Sequence, residues 1–311
     1  MSKFKYSICV ANLNMGNTII QALSSVLHAL DQRFEMVVVD DGSSDDSIEK
    51  LEALKSKYPN LRTIYLEKDK NRTLAKTRNI SVEAAEGKYC LMHIDCDDFW
   101  HPFLMDFVKV FHLIENIKKT DFLLKGHQVN MGKKEFLIKN GPYKFGHMVE
   151  DRDMWLRMAK INALVPLEHV IFRTRMPLSR KQKLQKKFIL TGTILRDEIR
   201  TGNKYLYYVT NIWRNYMNQS LELRVYKALI FPFCFMKAKK LGPIENMKSD
   251  PLWEDLVASP VKSAKTVFEM YRDLGKEIDE KTLTPAGVWI FSHNSRQEEI
   301  DNLPRTLSLK N

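Results

Sequence analysis

The chain lacks the features that would give several protein classes away. Its 311 residues include four cysteines, Cys9, Cys90, Cys96 and Cys234. None forms a C-x-x-C pair, so a zinc ribbon or a thioredoxin-like motif has no support, and four cysteines cannot staple a chain of this length. A reducing compartment is the expectation. No run of about 18 apolar residues occurs, so no bilayer-spanning helix is expected. The opening Met-Ser-Lys-Phe-Lys-Tyr leads straight into a strand-like stretch without the apolar core or small-residue cleavage site of a secretory leader. The N-x-S/T triplets at Asn71, Asn79 and Asn218 therefore have no secretory context. Also missing are a Walker A sequence, G-x-G-x-x-G after a strand, a G-x-S-x-G elbow and H-E-x-x-H. P-loop hydrolases, kinases, Rossmann dehydrogenases, α/β-hydrolases and zincins lose their usual support.

What is present is an ordinary folded composition, 44% hydrophobic and 28% charged, which excludes disorder and collagen-like architecture. The length suits one large domain or two modest ones. The net charge of +11 is unevenly spread. Residues 166–244 hold 16 Lys and Arg against 4 Asp and Glu, a balance of +12, while the remainder is close to neutral. That asymmetry argues for two regions, 1–175 and a basic, mainly helical 176–311.

The first region alternates strand and helix signals. Strands are expected at Tyr6–Ala11, Phe34–Val39, Leu61–Leu66 and Lys88–Ile94. A helix capped near Asn17–Thr18 carries apolar positions through Leu30, another follows Ser44, and a third covers Thr73–Ala85, ending near a left-handed Gly87. A helix at Phe103–Ile114, a strand at Phe122–Val129 with a hairpin partner at Glu135–Ile138, a turn at Asn140-Gly141-Pro142, a helix from Glu150, and short strands near Ala163–Val165 and His169–Phe172 complete the pattern. Such βαβ units predict an α/β fold, a mostly parallel sheet flanked by helices. Ligands then sit at the carboxyl ends of the strands. The polar clusters fall there: Asn12 and Asn14, Asp40 and Asp41, and Asp95 to Asp98.

Each cluster has two readings. Asp95, Asp97 and Asp98 repel one another unless a cation sits between them, and hard carboxylate oxygens suit Mg²⁺, Mn²⁺ or Ca²⁺. The alternative is a solvated turn or an N-cap. An EF-hand fails, because Trp100 stands at its glycine position. Asp40 in Asp40-Asp41-Gly42-Ser43-Ser44 could accept from a base or ribose, or merely form an Asx turn. Arg72, Lys76 and Arg78 could hold a phosphate near a helix N-terminus, or form a basic face. Glu150 and Asp151 could supply a general base, or complement a helix dipole, with His147 nearby.

Taken in order, these motifs resemble family 2 glycosyltransferases of the GT-A fold. The resembling stretches are Ala11-Asn12-Leu13-Asn14, Val39-Asp40-Asp41-Gly42-Ser43, Thr77-Arg78-Asn79, Gly87-Lys88-Tyr89, Asp95-Cys96-Asp97-Asp98, Glu150-Asp151 with Trp155-Leu156-Arg157, and Phe172-Arg173. Thr73, Ser81 and Ala11 depart from the usual Gly, Gly and Pro. The resemblance implies that Asn12, Asp40, Asp41 and Arg78 bind the nucleotide. It implies that Asp95 meets ribose or diphosphate, and that Asp97, with Asp95, ligates Mn²⁺ or Mg²⁺. Asp151 would be the catalytic base and Glu150 would orient the acceptor. The implied reaction is inverting transfer of a sugar from a nucleoside-diphosphate sugar, UDP- or GDP-linked, to a hydroxyl of a glycan or lipid-linked acceptor.

The carboxy-terminal region mixes Tyr205, Tyr207, Tyr208, Trp213, Tyr216, Tyr226, Phe231, Phe233 and Phe235 with Lys and Arg. That composition suits peripheral contact with an anionic membrane, or a packed helical extension with solvated charges. The expected location is cytoplasmic, with peripheral attachment to the inner membrane face as a variant. Two rival functions are a nucleic-acid-binding protein that uses residues 166–244, and a nucleotidyltransferase whose usual Gly-rich loop is absent. Nucleic acid is the less expected partner.

Overall fold

The computed structural model describes residues 3–69, 71–126, 129–144, 150–167, 172–177, 180–200, 221–243 and 266–292. Parallel strands β1 (Tyr6–Asn12), β2 (Phe34–Asp40), β3 (Leu61–Tyr65) and β4 (Tyr89–Ile94) alternate with helices α1 (Ile19–Leu27), α2 (Ser47–Lys55) and α3 (Leu74–Ala84). Then come β5 (Asp98–Trp100), α4 (Leu104–Lys118), β6 (Leu123–Lys125), β7 (Asn130–Lys133), α5 (Lys134–Asn140), α6 (Glu150–Lys160), β8 (Leu164–Pro166) and β9 (Arg173–Arg175). Helices α7 (Arg180–Arg200), α8 (Leu221–Leu241), α9 (Val267–Arg272) and α10 (Pro285–Phe291) make the carboxy-terminal part helical.

Seven strands form one sheet in the order β3-β2-β1-β4-β7-β6-β8. Only β7 runs against the rest, pairing antiparallel with β4 and β6. The mostly parallel α/β sheet expected from the sequence is therefore present. Both β2 and β4 are buried along their whole length, as expected of mostly apolar strands covered on both faces; the exceptions, Glu35, Asp40 and His93, are buried too. The chain moves outward from β1 to β2 and β3, then returns to place β4 on the other side of β1. The gap between β1 and β4 is thus the topological switch point, where a crevice opens beyond the strand ends.

Several local expectations change. Glu135–Ile138 is helical, within α5, and β7 takes the place of the hairpin strand. A short apolar run does not settle the period; here Gly132 lets Leu137 pack against the strand, a Cβ there lying 3.1 Å from Leu137. Gly87 is not a left-handed cap. A Cβ there would lie 2.6 Å from the Tyr6 carbonyl carbon, so glycine serves a close backbone approach. Ser44 does not cap α2; its hydroxyl reaches Asn14 Oδ1 at 3.3 Å. The strand expected over Phe122–Val129 stops at Lys125, where Gly126 turns the chain back onto Val129. The strand expected at His169–Phe172 lies partly outside the described residues, and β9 occupies Arg173–Arg175.

The main core joins the sheet to α1, α2 and α4. It also takes in Val267, Tyr271, Ile278, Leu283, Ile290 and Phe291. Tyr271 Oη donates to the Leu113 carbonyl at 2.6 Å, and the fully buried Asp106 accepts from the Thr284 backbone at 3.0 Å. Residues 266–292 therefore pack on α4. A separate small cluster, including Leu195, Ile199, Phe231 and Ala238, joins α7 to α8.

Candidate active site

Adjacent strands β1 and β2 end in register at Asn12 and Asp40. Asn12 Nδ2 donates to Asp40 Oδ2 at 2.6 Å, and the Ser43 backbone and hydroxyl donate to the same carboxylate at 2.8 and 2.6 Å. Asp40 is fully buried and holds the two loops together. Asn12 Oδ1 is buried without a partner, an acceptor facing inward. Asp41 binds the Arg72 guanidinium. Lys76 points to solvent while Arg78 is buried, so these three cations do not form one phosphate site.

Thr73 caps α3, accepting from the Lys76 backbone, and the helix projects Arg78 inward. Its guanidinium donates to Asp95 Oδ1 at 2.9 Å and to Glu150 Oε1 at 2.8 Å. One buried fork thus joins the end of β4 to the start of α6, 72 residues further along the chain than Arg78. Burial tends to neutralise Arg78, but Asp95, Tyr143, Glu150 and Asp151 hold its proton above the ordinary range. Burial likewise works against ionised Asp95, and Arg78 outweighs it, keeping that carboxyl below its usual value. Glu150 behaves oppositely. Burial, opposed by Arg78 and aided by Asp151, pushes its carboxyl up to about 7.

The end of β4 is irregular. Pairing with β1 shifts register between Ile8 and Val10, and His93 adopts φ 67°. This bulge re-aims the chain just before Asp95. The buried His93 presents Nδ1 to Asp151 Oδ2 at 3.7 Å, and burial lowers its basicity. Asp151 itself is partly exposed at the mouth of the site.

Asp95, Asp97 and Asp98 each offer a carboxylate oxygen within 4.8 Å of the others, a set that could hold a metal ion. Strand β9 pairs with β5, placing Arg175 opposite Asp98 and Arg173 opposite Trp100. Arg175 donates to Asp97 at 2.7 Å and to Asp98 at 3.2 Å, while Arg173 binds Asp98. Burial still raises the Asp98 carboxyl to about 6. The donor chemistry fits a hard dication at Asp95 and Asp97, provided Arg175 moves aside; Asp98 is engaged by Arg173. The thiol of Cys96, pushed well up by burial, feels Asp95, Asp97, Asp40 and Asp98, so the β2 and β4 ends share one crevice.

Among the described residues, six of the twelve buried side-chain atoms without a hydrogen-bond partner belong to residues of this region: Asn12 Oδ1, His93 Nδ1, Asp98 Oδ2, Tyr143 Oη, Glu150 Oε2 and Arg173 Nε. Buried polar groups are normally satisfied, so such a gathering marks a place prepared for a ligand. The structure joins Arg78, Asp95 and Glu150 directly, sets Asp97 and Asp98 beside Asp95, and pairs Asn12 with Asp40, whereas Arg72 turns to Asp41 and Lys76 to solvent; His147 lies outside the described residues. His93, Tyr143 and Arg175 were not singled out by sequence. A histidine interrupting an apolar strand was the one available signal for His93.

A mostly parallel sheet with carboxylates and guanidinium groups converging at its switch point defines an α/β domain with polar groups where such sheets bind their ligands. Residues 7–123 match the family described as Glycosyl transferase family 2. An uncharacterized glycosyltransferase of Rickettsia felis is 36% identical over 97 residues, which span 31% of this chain and 15% of that protein. In overall shape the chain is similar to S. aureus TarS 1–349 in complex with UDP-GlcNAc, at 19% identity and TM-score 0.47, covering 88% of this chain and 93% of that one. It is also similar to the mannosyltransferase PcManGT from Pyrobaculum calidifontis in complex with GDP-Man and Mn²⁺, at 15% identity and TM-score 0.48, covering 76% and 73%.

Proposed function

We propose that the crevice transfers a sugar from a nucleoside-diphosphate sugar to an acceptor hydroxyl, with inversion at the anomeric carbon. The observation that carries this reading is the Arg78 fork, bonded to Asp95 on one side and Glu150 on the other. It brings Asp95, from the acidic cluster after β4, and Glu150, from the start of α6, onto one guanidinium. In this reading Asn12 and Asp40 shape the nucleoside pocket, with the free Asn12 Oδ1 accepting from the base, and Arg72 keeps Asp41 in place. Asp95 and Asp97 would hold Mn²⁺ or Mg²⁺, which would supply Lewis-acid stabilisation of the departing diphosphate.

Asp151 accepts the proton of the attacking hydroxyl. The acceptor oxygen bonds to the anomeric carbon as the bond from that carbon to the diphosphate oxygen breaks. His93 Nδ1 lies 3.7 Å from Asp151 Oδ2. Glu150, whose carboxyl burial pushes up to about 7, donates from its protonated form to an acceptor oxygen while Arg78 fixes its other oxygen. The acceptor is a glycan or a lipid-linked saccharide.

The test incubates the chain with UDP-, GDP- and dTDP-sugars and Mn²⁺ or Mg²⁺ and follows released nucleoside diphosphate. Asp97→Ala is expected to weaken nucleotide and metal binding. Asp151→Asn is expected to bind donor normally yet lose transfer by a factor on the order of 10²–10⁴. Transfer at the wild-type rate by Asp151→Asn overturns its role as base. Release of pyrophosphate from nucleoside triphosphates instead would identify a nucleotidyltransferase.

A further inference from the structure

Helix α8 is apolar on two opposite faces. One face, with Leu223, Phe231 and Ala238, is buried, and Phe231 and Ala238 pack against Leu195 and Ile199 of α7. The other carries Val225, Leu229, Phe233 and Met236, at 51%, 68%, 70% and 60% exposure. These positions follow helical spacing, so they line one side as a stripe roughly 16 Å long. A helix that is apolar all round is ordinarily buried all round. The exposed stripe therefore calls for a covering surface.

Charge identifies the cover. Exposed Lys237, Lys239 and Lys240 follow the stripe at its carboxy-terminal end, and Glu222 stands as the acid at the other. Residues 166–244 as a whole carry +12. A second copy meeting this face would bring two strongly cationic surfaces together, whereas an anionic lipid surface complements both the stripe and its border. No described helix is long and apolar enough to cross a membrane, so the contact lies along the surface.

We propose that the Val225-Leu229-Phe233-Met236 face of α8, with Lys237, Lys239 and Lys240, docks onto an anionic lipid surface. Leu229 and Phe233 enter the boundary between headgroups and acyl chains, and the lysines meet lipid phosphates. This goes beyond the proposed transfer reaction and does not depend on it.

The experiment is flotation of the full chain with vesicles of phosphatidylcholine alone or phosphatidylcholine mixed with phosphatidylglycerol, at low and high salt. The wild type is expected to float with the mixed vesicles, less so in high salt, and not with phosphatidylcholine alone. Leu229→Glu with Phe233→Glu, both exposed sites that leave the fold intact by circular dichroism, is expected to abolish flotation. Lys237→Gln, Lys239→Gln and Lys240→Gln together are expected to weaken partitioning on the order of a hundredfold, at about fivefold per lysine. Failure of the wild type to float with mixed vesicles overturns the proposal, as does undiminished flotation of the double glutamate variant. A wild-type dimer that the same variant dissolves, without flotation, assigns the face to a second copy and also overturns it. Nucleoside-diphosphate binding by the glutamate variant, expected to match wild type, separates this outcome from failure of the catalytic reading.

Discussion

Replacing Arg78 by Met tests whether one guanidinium holds the two walls of the crevice together. Arg78 is 6% exposed and serves Asp95 and Glu150 at once. Met keeps much of the stem volume, including the packing beneath Tyr143, whose ring centre lies 5.6 Å from the guanidinium carbon, but removes the charge. Breaking a buried ion pair from one side costs about 3–5 kcal/mol. At pH 8 both carboxylates lose their cation, so the full loss is expected, lowering the urea midpoint by roughly 1–2 M. At pH 5 Glu150 is already protonated, because burial holds its carboxyl up at about 7, and only Asp95 suffers. The loss should shrink to about 1–2 kcal/mol there. Arg78→Lys, a point charge that cannot fork, should fall between the two. Equal stability of Arg78→Met and wild type at pH 8, or an identical loss at both pH values, refutes the reasoning.

Other outcomes follow from the same geometry. Folded Glu150 keeps its proton to about pH 7, against an ordinary value of 4.5, so its contribution to stability is present at acid pH and is lost as pH rises between those values. That loss, of order 3 kcal/mol, should vanish from the urea-unfolding pH profile of Glu150→Gln. Arg175, 43% exposed, competes for Asp97 and Asp98. After allowance for solvent screening that contact is worth about 1 kcal/mol, so Arg175→Gln should bind Mn²⁺ several-fold more tightly in calorimetry without nucleotide. Weaker binding would make the guanidinium part of the ion site rather than its rival. Gly87→Ala, whose methyl would press on the Tyr6–Ser7 backbone, should lower stability by about 1–3 kcal/mol, read from the thermal midpoint.

The parallel half of the sheet was legible because Phe34–Val39 and Lys88–Ile94 are mostly apolar runs, each followed by an aspartate, Asp40 and Asp95. Strands buried on both faces leave that trace, and the connecting helices have a different period. The acidic residues were legible for the same reason, since they sit where each run stops. What was hidden depends on distance along the chain. No local pattern states that Arg175 will meet Asp97, 78 residues earlier. The bulge at His93 arises from mismatched pairing with β1, which is a property of two strands. The α5 segment Lys134–Asn140 misled because its few apolar residues satisfy both periods, and Gly132 decided the matter through packing.

The return of residues 266–292 to the surface of α4 has a consequence for how the chain is divided. Phe172, just ahead of β9, and Phe291, at the end of α10, have ring centres 6.0 Å apart in one core. Between them lie β9, paired with β5, and helices α7 and α8, which pack in parallel with Phe188 beside Tyr226, Gly192 beside Cys234 and Arg200 beside Gly242, before residues 266–292 return to α4. A cut after α8 would strip α4 of the cover that Val267, Tyr271, Ile290 and Phe291 give it, so residues 266–292 belong to the same folded block as the beginning of the chain.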